Sequence, residues 1–474
     1  MEEMTEWQVV QRKKPPRDRP RCLIEDTKDT NDMNDTKNDT ELVVQTQAME
    51  ISDVGGPQVG RWIPWTKERP RDSSLFRTPE SRALQHVKNA IQQESRWDDF
   101  KKITNPYEYI FLSWNRRSSR SVATRQPLSR SYFKMVEIWQ RAKFSEALAG
   151  FTGGLKTAHS AEGPGGFIEA CWEQMPALTA SHAITLRSDA RNIPGWRKAA
   201  KFLVDHPVVH IHEGADGTGN ILELANQTAF IETAKGSHLY TADGGFDFSS
   251  DYNAQEDSIF PLLLAEFLIG IQVLEVGGCL VVKCFDTMER ATLDLLWIVS
   301  RCFAEWSILK PQTSRAGNAE RYFIGKGRLA NIEDSIAFLQ HIQATQQWTG
   351  PLLEVQEADQ AAWRVWRDKV LQFQEEIEHI EYTIIRKTLD LIHAHDFSRI
   401  RSLVRDNVQR SIQWCREFGE TISSSWTHEL ERNVSRETHD LLQIIAPPNM
   451  STFQHHSWYT RNSGISFAGF RKEE

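Results

Sequence analysis

The sequence predicts an α/β fold, a largely parallel sheet with helices on both faces. Three observations predict it. Short apolar runs ending in Gly or Asp alternate with longer helical stretches from about Gly60 to Arg328. A glycine-rich turn, Glu162-Gly163-Pro164-Gly165-Gly166-Phe167, opens one of those helical stretches. Charged residues stand at the ends of the apolar runs, beyond which ligands bind in such sheets.

The apolar runs are Ala183–Leu186, Val208–His212, His238–Ala242, Cys279–Phe285, Trp306–Leu309 and Tyr322–Ile324. Between them lie helix-like stretches such as Gly166–Gln174, Ile259–Leu274 and Thr292–Trp306. These elements define a domain over residues 59–333. Residues 334–474 read as a helical C-terminal region. There Trp366, Val370, Phe373, Ile377, Ile380 and Ile384 recur at spacings of four and three, so they share one helix face. That stripe packs either on the preceding domain or on a protein partner. His393 and His395 do not share a helix face and read as ordinary histidines.

Residues 1–58 are expected to be a disordered tail. A basic stretch from Arg12 to Arg21 precedes an acidic, low-complexity run from Glu25 to Glu50. Such composition buries too little apolar surface to offset the entropy of ordering. The basic stretch is either a solvated tail or a contact for RNA.

The chain has 474 residues, 40% of them hydrophobic, and a net charge of −8, so it is not a basic nucleic-acid coat. A nucleic-acid enzyme with locally clustered cations still fits. Cysteines stand at 22, 171, 279, 284, 302 and 415, with no CxxC pair and no histidines at zinc spacing. They read as free thiols in a reducing compartment, and no metal site is expected. The N-terminus has no apolar signal core, and no apolar run reaches the roughly 18 residues of a membrane span. A soluble, intracellular protein is expected.

Three glycines in four positions let the backbone turn tightly at residues 163–166, and the following helix aims its N-terminal amides at the same place. Asp243 ends an apolar run in Thr241-Ala242-Asp243-Gly244-Gly245-Phe246. Lys283 follows the strand core Cys279–Val282, where an unpaired ammonium would be costly. Glu320 precedes Tyr322–Ile324. Singly, each reads as a surface charge or ion-pair partner. Together they place two acids and a lysine at strand ends on one side of the sheet.

These segments resemble the FtsJ-like ribose 2′-O-methyltransferases, most nearly the branch acting on the mRNA cap, in cellular and large-DNA-virus forms. The resemblance rests on EGPGGF at 162–167, ADGGF at 242–246, GGCLVVKCFD at 277–286 and KPQTSRAGNAERYFIGKG at 310–327. Asn105-Pro106-Tyr107-Glu108 upstream resembles a segment ahead of the catalytic core in the cap enzymes. Coverage runs from about residue 100 to 328. Two departures stand out. Thr157–Ala161, where the first strand should lie, is small and polar, and Trp114–Arg130 is inserted before Lys134.

The resemblance implies a Rossmann-like sheet that uses S-adenosylmethionine to methylate a ribose 2′-oxygen in capped mRNA. It implies a tetrad of Lys134, Asp243, Lys283 and Glu320; Lys143 is the runner-up for the first position, and Lys156 lies too close to the loop. Cofactor contacts are expected from Glu162, Gly163, Pro164, Gly165, Gly166, Phe167, Thr185, Asp216 and Asp243. Asp216 sits in a Gly-Asp-Gly stretch that also reads as an ordinary turn. RNA contacts are expected from Lys101, Lys102, Arg116, Arg117 and Arg315, with Arg120, Arg125 and Arg130 in the same basic insert.

Lys283 is the expected base, its pKa lowered by burial and by Lys134. Asp243 is expected to orient one of the lysines, and Glu320 to hold Lys283. The alternatives are a cap-independent methyltransferase of ribosomal or transfer RNA and an inactive fold serving as an RNA-binding capping subunit. Cytoplasm, nucleus, or a virion or host cytoplasm for a viral protein, would each suit the cap reading.

Overall fold

Eight strands pair into one mixed sheet: β1 (Met49–Val54), β2 (Leu155–Ser160), β3 (Leu178–Ile184), β4 (Val209–His212), β5 (Ser237–Ala242), β6 (Leu274–Cys284), β7 (Phe303–Lys310) and β8 (Arg321–Arg328). Their order is β1-β7-β8-β6-β5-β2-β3-β4. This computed structural model describes residues 49–54, 62–65, 78–112, 120–188, 193, 195–245, 255–346, 348, 350–394, 397–446 and 458. Strands β2 to β6 pair in parallel. Strand β8 runs antiparallel between β6 and β7, and β1 pairs antiparallel with β7 at the edge. The parallel half agrees with the sequence reading. The reversal at β8 follows from the short link from β7, Pro311 to Glu320, which has no crossover helix.

The helices before the second strand are α1 (Pro79–Gln93), α2 (Trp97–Thr104), α3 (Ser131–Arg141) and α4 (Phe144–Ala147). Those among the strands are α5 (Gly166–Gln174), α6 (Ala200–Asp205), α7 (Leu224–Ala234), α8 (Gln255–Val273) and α9 (Arg290–Ser300). After the last strand come α10 (Glu333–Thr345), α11 (Gln360–Ala394), α12 (Ile400–Glu417), α13 (Ser424–His428) and α14 (Leu430–Ile445). Among the described residues no helix is long and apolar enough to cross a membrane.

Strand β6 shows how the layers are built. Side chains alternate across a strand, and here both faces are buried. Leu280, Val282 and Cys284 join the core formed with α7 to α10 and the first half of α11. Cys279 and Val281 join the opposite core, formed with α2, α3, α5, α12 and α14. Lys283 continues the second series, which sets it on the α3 side.

Three expectations change. Met49–Val54, placed in the tail by composition, is an edge strand: its backbone finds hydrogen-bond partners on β7, and Ile51 packs against the core. The remainder of that tail before Met49 lies outside the described residues. The helix expected over Thr292–Trp306 stops at Ser300, and Phe303–Trp306 already belongs to β7. The small, polar stretch before the glycine loop forms β2 after all. Thr157, His159 and Ser160 are fully buried there. They satisfy one another and β5: His159 bonds Thr241 Oγ1 at 2.6 Å and Thr157 Oγ1 at 2.8 Å, and Ser160 bonds the Tyr240 hydroxyl.

Of the α11 stripe, Trp366, Val370, Phe373 and Ile377 are buried in the chain's own core. Ile384 is buried too, and Ile380 is half-buried. The stripe is therefore used within the molecule. His393 is exposed near the end of α11, and His395 lies outside the described residues. The five described cysteines are free and buried.

Candidate active site

The glycine loop connects β2 to α5. Gly165 has φ +103°, a left-handed conformation that favours glycine. Gly166 is required by contact: a Cβ there would lie 2.3 Å from the hydroxyls of Ser129 and Ser131 and 2.8 Å from the Tyr132 amide. The start of α3 therefore packs on the start of α5, and Lys134, one turn on, is aimed over the carboxyl ends of the parallel strands.

Two ion pairs meet there. Lys134 Nζ lies 2.7 Å from one Glu320 carboxylate oxygen and 2.8 Å from the other. Lys283 Nζ donates to the Asp243 carbonyl at 2.7 Å and lies 3.2 Å from the Asp243 carboxylate. The four side chains are 10–13% exposed. The partners differ from expectation, because Glu320 holds Lys134 rather than Lys283. Lys143 and Lys156, the other lysines considered, point to solvent.

The electrostatics also correct an expectation. Burial pulls the Lys283 pKa down, but Asp243 and, after it, Glu320 outweigh it and leave the ammonium favoured. Burial alone would raise the Glu320 carboxyl; Lys134 and Lys283 reverse that and hold it well below the usual carboxylate range. Tyr322, unremarked in the sequence, donates its hydroxyl to Asp243 at 2.8 Å. Its signal was available: it stands two residues after Glu320, on the same face of an extended chain.

The loop carrying Glu320 is tied down from three sides. Glu137, one turn beyond Lys134 on α3, accepts hydrogen bonds from the amides of Gln312 (2.8 Å) and Thr313 (3.1 Å) and from the Trp414 indole of α12 (3.2 Å). Buried Lys310 donates to the carbonyls of Asn318 (2.6 Å) and Glu320 (3.0 Å). Burial lowers the Lys310 pKa to about 8. Glu108 receives Arg130 at 3.1 Å, Arg315 at 2.8 Å and Asn105 at 2.7 Å. Against the burial of Glu108, the two guanidiniums bring its pKa down to about 2.

Of the expected cofactor residues, Glu162 is buried at the foot of the glycine loop, bonded by Thr241 and 3.3 Å from His159. It is the Oε2 oxygen that faces His159 Nδ1 at this distance. Thr185 is buried at the end of β3. Asp216 closes its own turn, accepting from Thr218 N at 2.8 Å and Asn226 Nδ2 at 2.9 Å. Of the expected RNA contacts, Lys101 pairs with Asp98 at 2.6 Å and Arg315 with Glu108, while Lys102 is half-buried on α2. Arg116 and Arg117 lie outside the described residues. Arg120 pairs with Glu437 at 2.6 Å and Arg125 with Glu173 at 2.5 Å, so these arginines of the insert fasten it to α14 and α5.

A glycine-turned first crossover, the parallel half of a mixed sheet and charged pairs at its carboxyl edge define a Rossmann-like methyltransferase domain. Residues 127–328 match the FtsJ-like methyltransferase family, and the chain carries an FtsJ-like methyltransferase domain. Among curated proteins it is similar to cap-specific mRNA (nucleoside-2′-O-)-methyltransferase 1 of Xenopus laevis, with 36% identity over 26% of this chain and 15% of that protein. The enzyme of the same description from Drosophila melanogaster is 31% identical over 37% of this chain and 23% of that protein. Cap-specific mRNA (nucleoside-2′-O-)-methyltransferase 2 of Danio rerio is 28% identical over 52% of this chain and 34% of that protein. The matches thus span 15–34% of the length of these relatives.

Proposed function

We propose that this chain methylates the 2′-oxygen of a ribose at the 5′ cap of mRNA, drawing the methyl group from S-adenosylmethionine. The observation that carries this reading is the convergence of Lys134–Glu320 and Lys283–Asp243 at the carboxyl ends of the strands. The names of the similar proteins point to the cap as substrate. Action on capped mRNA would place the protein in nucleus or cytoplasm.

The residues present suit the cofactor. The turn at Gly165–Gly166 brings backbone amides of α5 to the strand ends, where they can receive a carboxylate. The Glu162 carboxyl group and the Asp243 carboxylate offer acceptors to a cationic ligand with amino and hydroxyl groups. When bound, S-adenosylmethionine supplies a methyl group on a positively charged sulfur.

The protein's own residues supply the rest. Lys283 must lose its proton before it can receive that of the ribose 2′-hydroxyl. Asp243 and its carbonyl fix the direction from which Lys283 approaches. Lys134, held by Glu320, places a positive charge where the alkoxide develops. Tyr322 braces Asp243. Arg315, held by Glu108 beside the Glu320 loop, and Lys101, paired with Asp98, would meet RNA phosphates.

The test is transfer of tritiated methyl from S-adenosylmethionine to two RNAs of one sequence, capped and uncapped, by the wild type and by Lys283→Ala. Alkali-resistant label on the capped RNA alone, lost in the variant, is the expected result. Equal label on both RNAs would replace the cap reading with a cap-independent one. No label on either, with the cofactor still bound, would point to an inactive RNA-binding subunit.

A further inference from the structure

On the other face of the sheet from Lys283 lies a titratable group that the scheme above does not use. Glu266, in the middle of α8, is 1% exposed. Among the described residues it makes no ion pair, and its Oε1 has no hydrogen-bond partner. It is pressed against the turn that follows β5. A Cβ at Gly244 would lie 2.1 Å from Glu266 Oε1 and 3.1 Å from Leu262 Cδ2, both on α8. A Cβ at Gly245 would instead lie 3.3 Å from Lys283 Nζ. Two adjacent glycines thus face opposite sides, one the buried acid and the other the amine. Between β5 and these glycines stands Asp243, whose carbonyl receives Lys283.

We propose that Glu266 is a positioning residue for methyl transfer: an uncharged carboxylic acid that fills the space under Gly244 and seats the Asp243–Gly245 turn against Lys283. This rests on the function proposed above. The geometry favours the uncharged form, because a carboxylate buried with no cation in contact loses more hydration than the Gly244 amide and the more distant Lys283 return. Burial is also the main cause that pushes its pKa well above the usual range; Lys283, on the other face, offsets it only partly.

Neutrality matters to the site. Lys134 and Lys283 already face two carboxylates, Asp243 and Glu320. A third negative charge near Lys283 would hold its ammonium more firmly and hinder the proton loss that a base requires. An apolar residue in place of Glu266 would keep the charge balance but remove the polar group facing the Gly244 amide. A carboxylic acid held neutral meets both demands.

The experiment compares the full-length wild type with Glu266→Gln and Glu266→Leu. Glu266→Leu should lose about tenfold or more in kcat with S-adenosylmethionine affinity little changed, and Glu266→Gln should restore most of that loss. The pH profile of kcat/KM in Glu266→Gln should overlay that of the wild type. If Glu266 were ionised, the glutamine would free Lys283 of an anion and move the rising limb to lower pH, which would overturn the proposal. So would full activity in Glu266→Leu.

A second measurement needs no RNA. The infrared difference spectrum of wild type minus Glu266→Gln near neutral pH should show the carbonyl stretch of a protonated carboxyl; carboxylate bands in its place would overturn the assignment. If the wild type methylates no RNA, the functional reading fails while the infrared result still decides the state of Glu266. If Glu266→Leu does not fold, the pH profile and infrared spectrum of the glutamine variant decide.

Discussion

Lys134 and Glu320 lie 186 residues apart in the sequence and 2.7 Å apart in the fold. One helix accounts for the meeting. Lys134 projects from α3 to Glu320, and Glu137, one turn later on the same helix, binds the amides at the start of the loop that carries Glu320. Removing the acid should therefore cost more than its charge. Glu320→Ala is expected to lower kcat by about 10²-fold or more, with S-adenosylmethionine affinity within a few-fold of wild type. Single-turnover methyl transfer beside equilibrium cofactor binding checks it; an equal loss in both would show that Glu320 serves binding instead.

Trp414 extends that arrangement into the C-terminal region. Its indole donates to Glu137 at 3.2 Å while its ring packs on Phe133 and Phe418, at 5.8 and 4.7 Å between centroids. Trp414→Phe keeps much of the ring and removes the donor. A loss of about 1–2 kcal/mol is expected, because a buried hydrogen bond to an acid is broken. Thermal unfolding should show this as a fall of a few degrees. An unchanged melting temperature would mean that the bond contributes nothing net.

Glu108 makes stability depend on acid. Its folded pKa of about 2 lies below its ordinary 4.5. For a depressed carboxylate, the stabilisation is present above the unfolded value and is lost as pH falls through the folded one. The shift corresponds to roughly 3 kcal/mol at most, less some screening, since Arg130 and Arg315 are about a third exposed. The difference in stability between wild type and Glu108→Gln should be largest above pH 4.5 and shrink toward pH 2. Denaturant unfolding across that window checks it; a gap independent of pH would assign the loss to packing.

Much of the site was legible because it obeys the period of a strand. Asp243, Lys283 and Glu320 stand at the ends of apolar runs, and alternation alone puts Lys283 on the α3 side. The pairing of acid with lysine was not legible. It depends on where Glu137, Lys310 and Glu108 hold the 311–320 loop, and those anchors come from distant segments. The strand β2 was obscured because its buried side chains are polar and satisfy each other rather than solvent. Edge strand β1 was obscured because backbone pairing with β7, invisible in composition, holds it. The basic insert looked like a surface for RNA, yet Arg120 and Arg125 found acids on α14 and α5.

With Lys283 as the base of the proposed methyl transfer, its ammonium should set the pH dependence of the reaction. Burial would make the amine easier to deprotonate, but the carboxylates of Asp243 and Glu320 raise its pKa above the ordinary lysine value of 10.5. A base must be neutral to accept a proton. With the pKa raised, the neutral fraction is small at neutral pH and grows about tenfold for each pH unit below the pKa. The logarithm of kcat/KM should therefore rise with a slope of about one through the alkaline range. Weakening the nearest anion should move the profile in a known direction. Asp243→Asn removes the carboxylate 3.2 Å from Lys283, so the rising limb should shift to lower pH even if the maximal rate falls. A profile flat in both proteins would mean that Lys283 works as an ammonium, stabilising the developing alkoxide without taking its proton. The 2′-hydroxyl proton would then leave to solvent, and Lys283→Arg, which keeps the positive charge, should retain more activity than Lys283→Met.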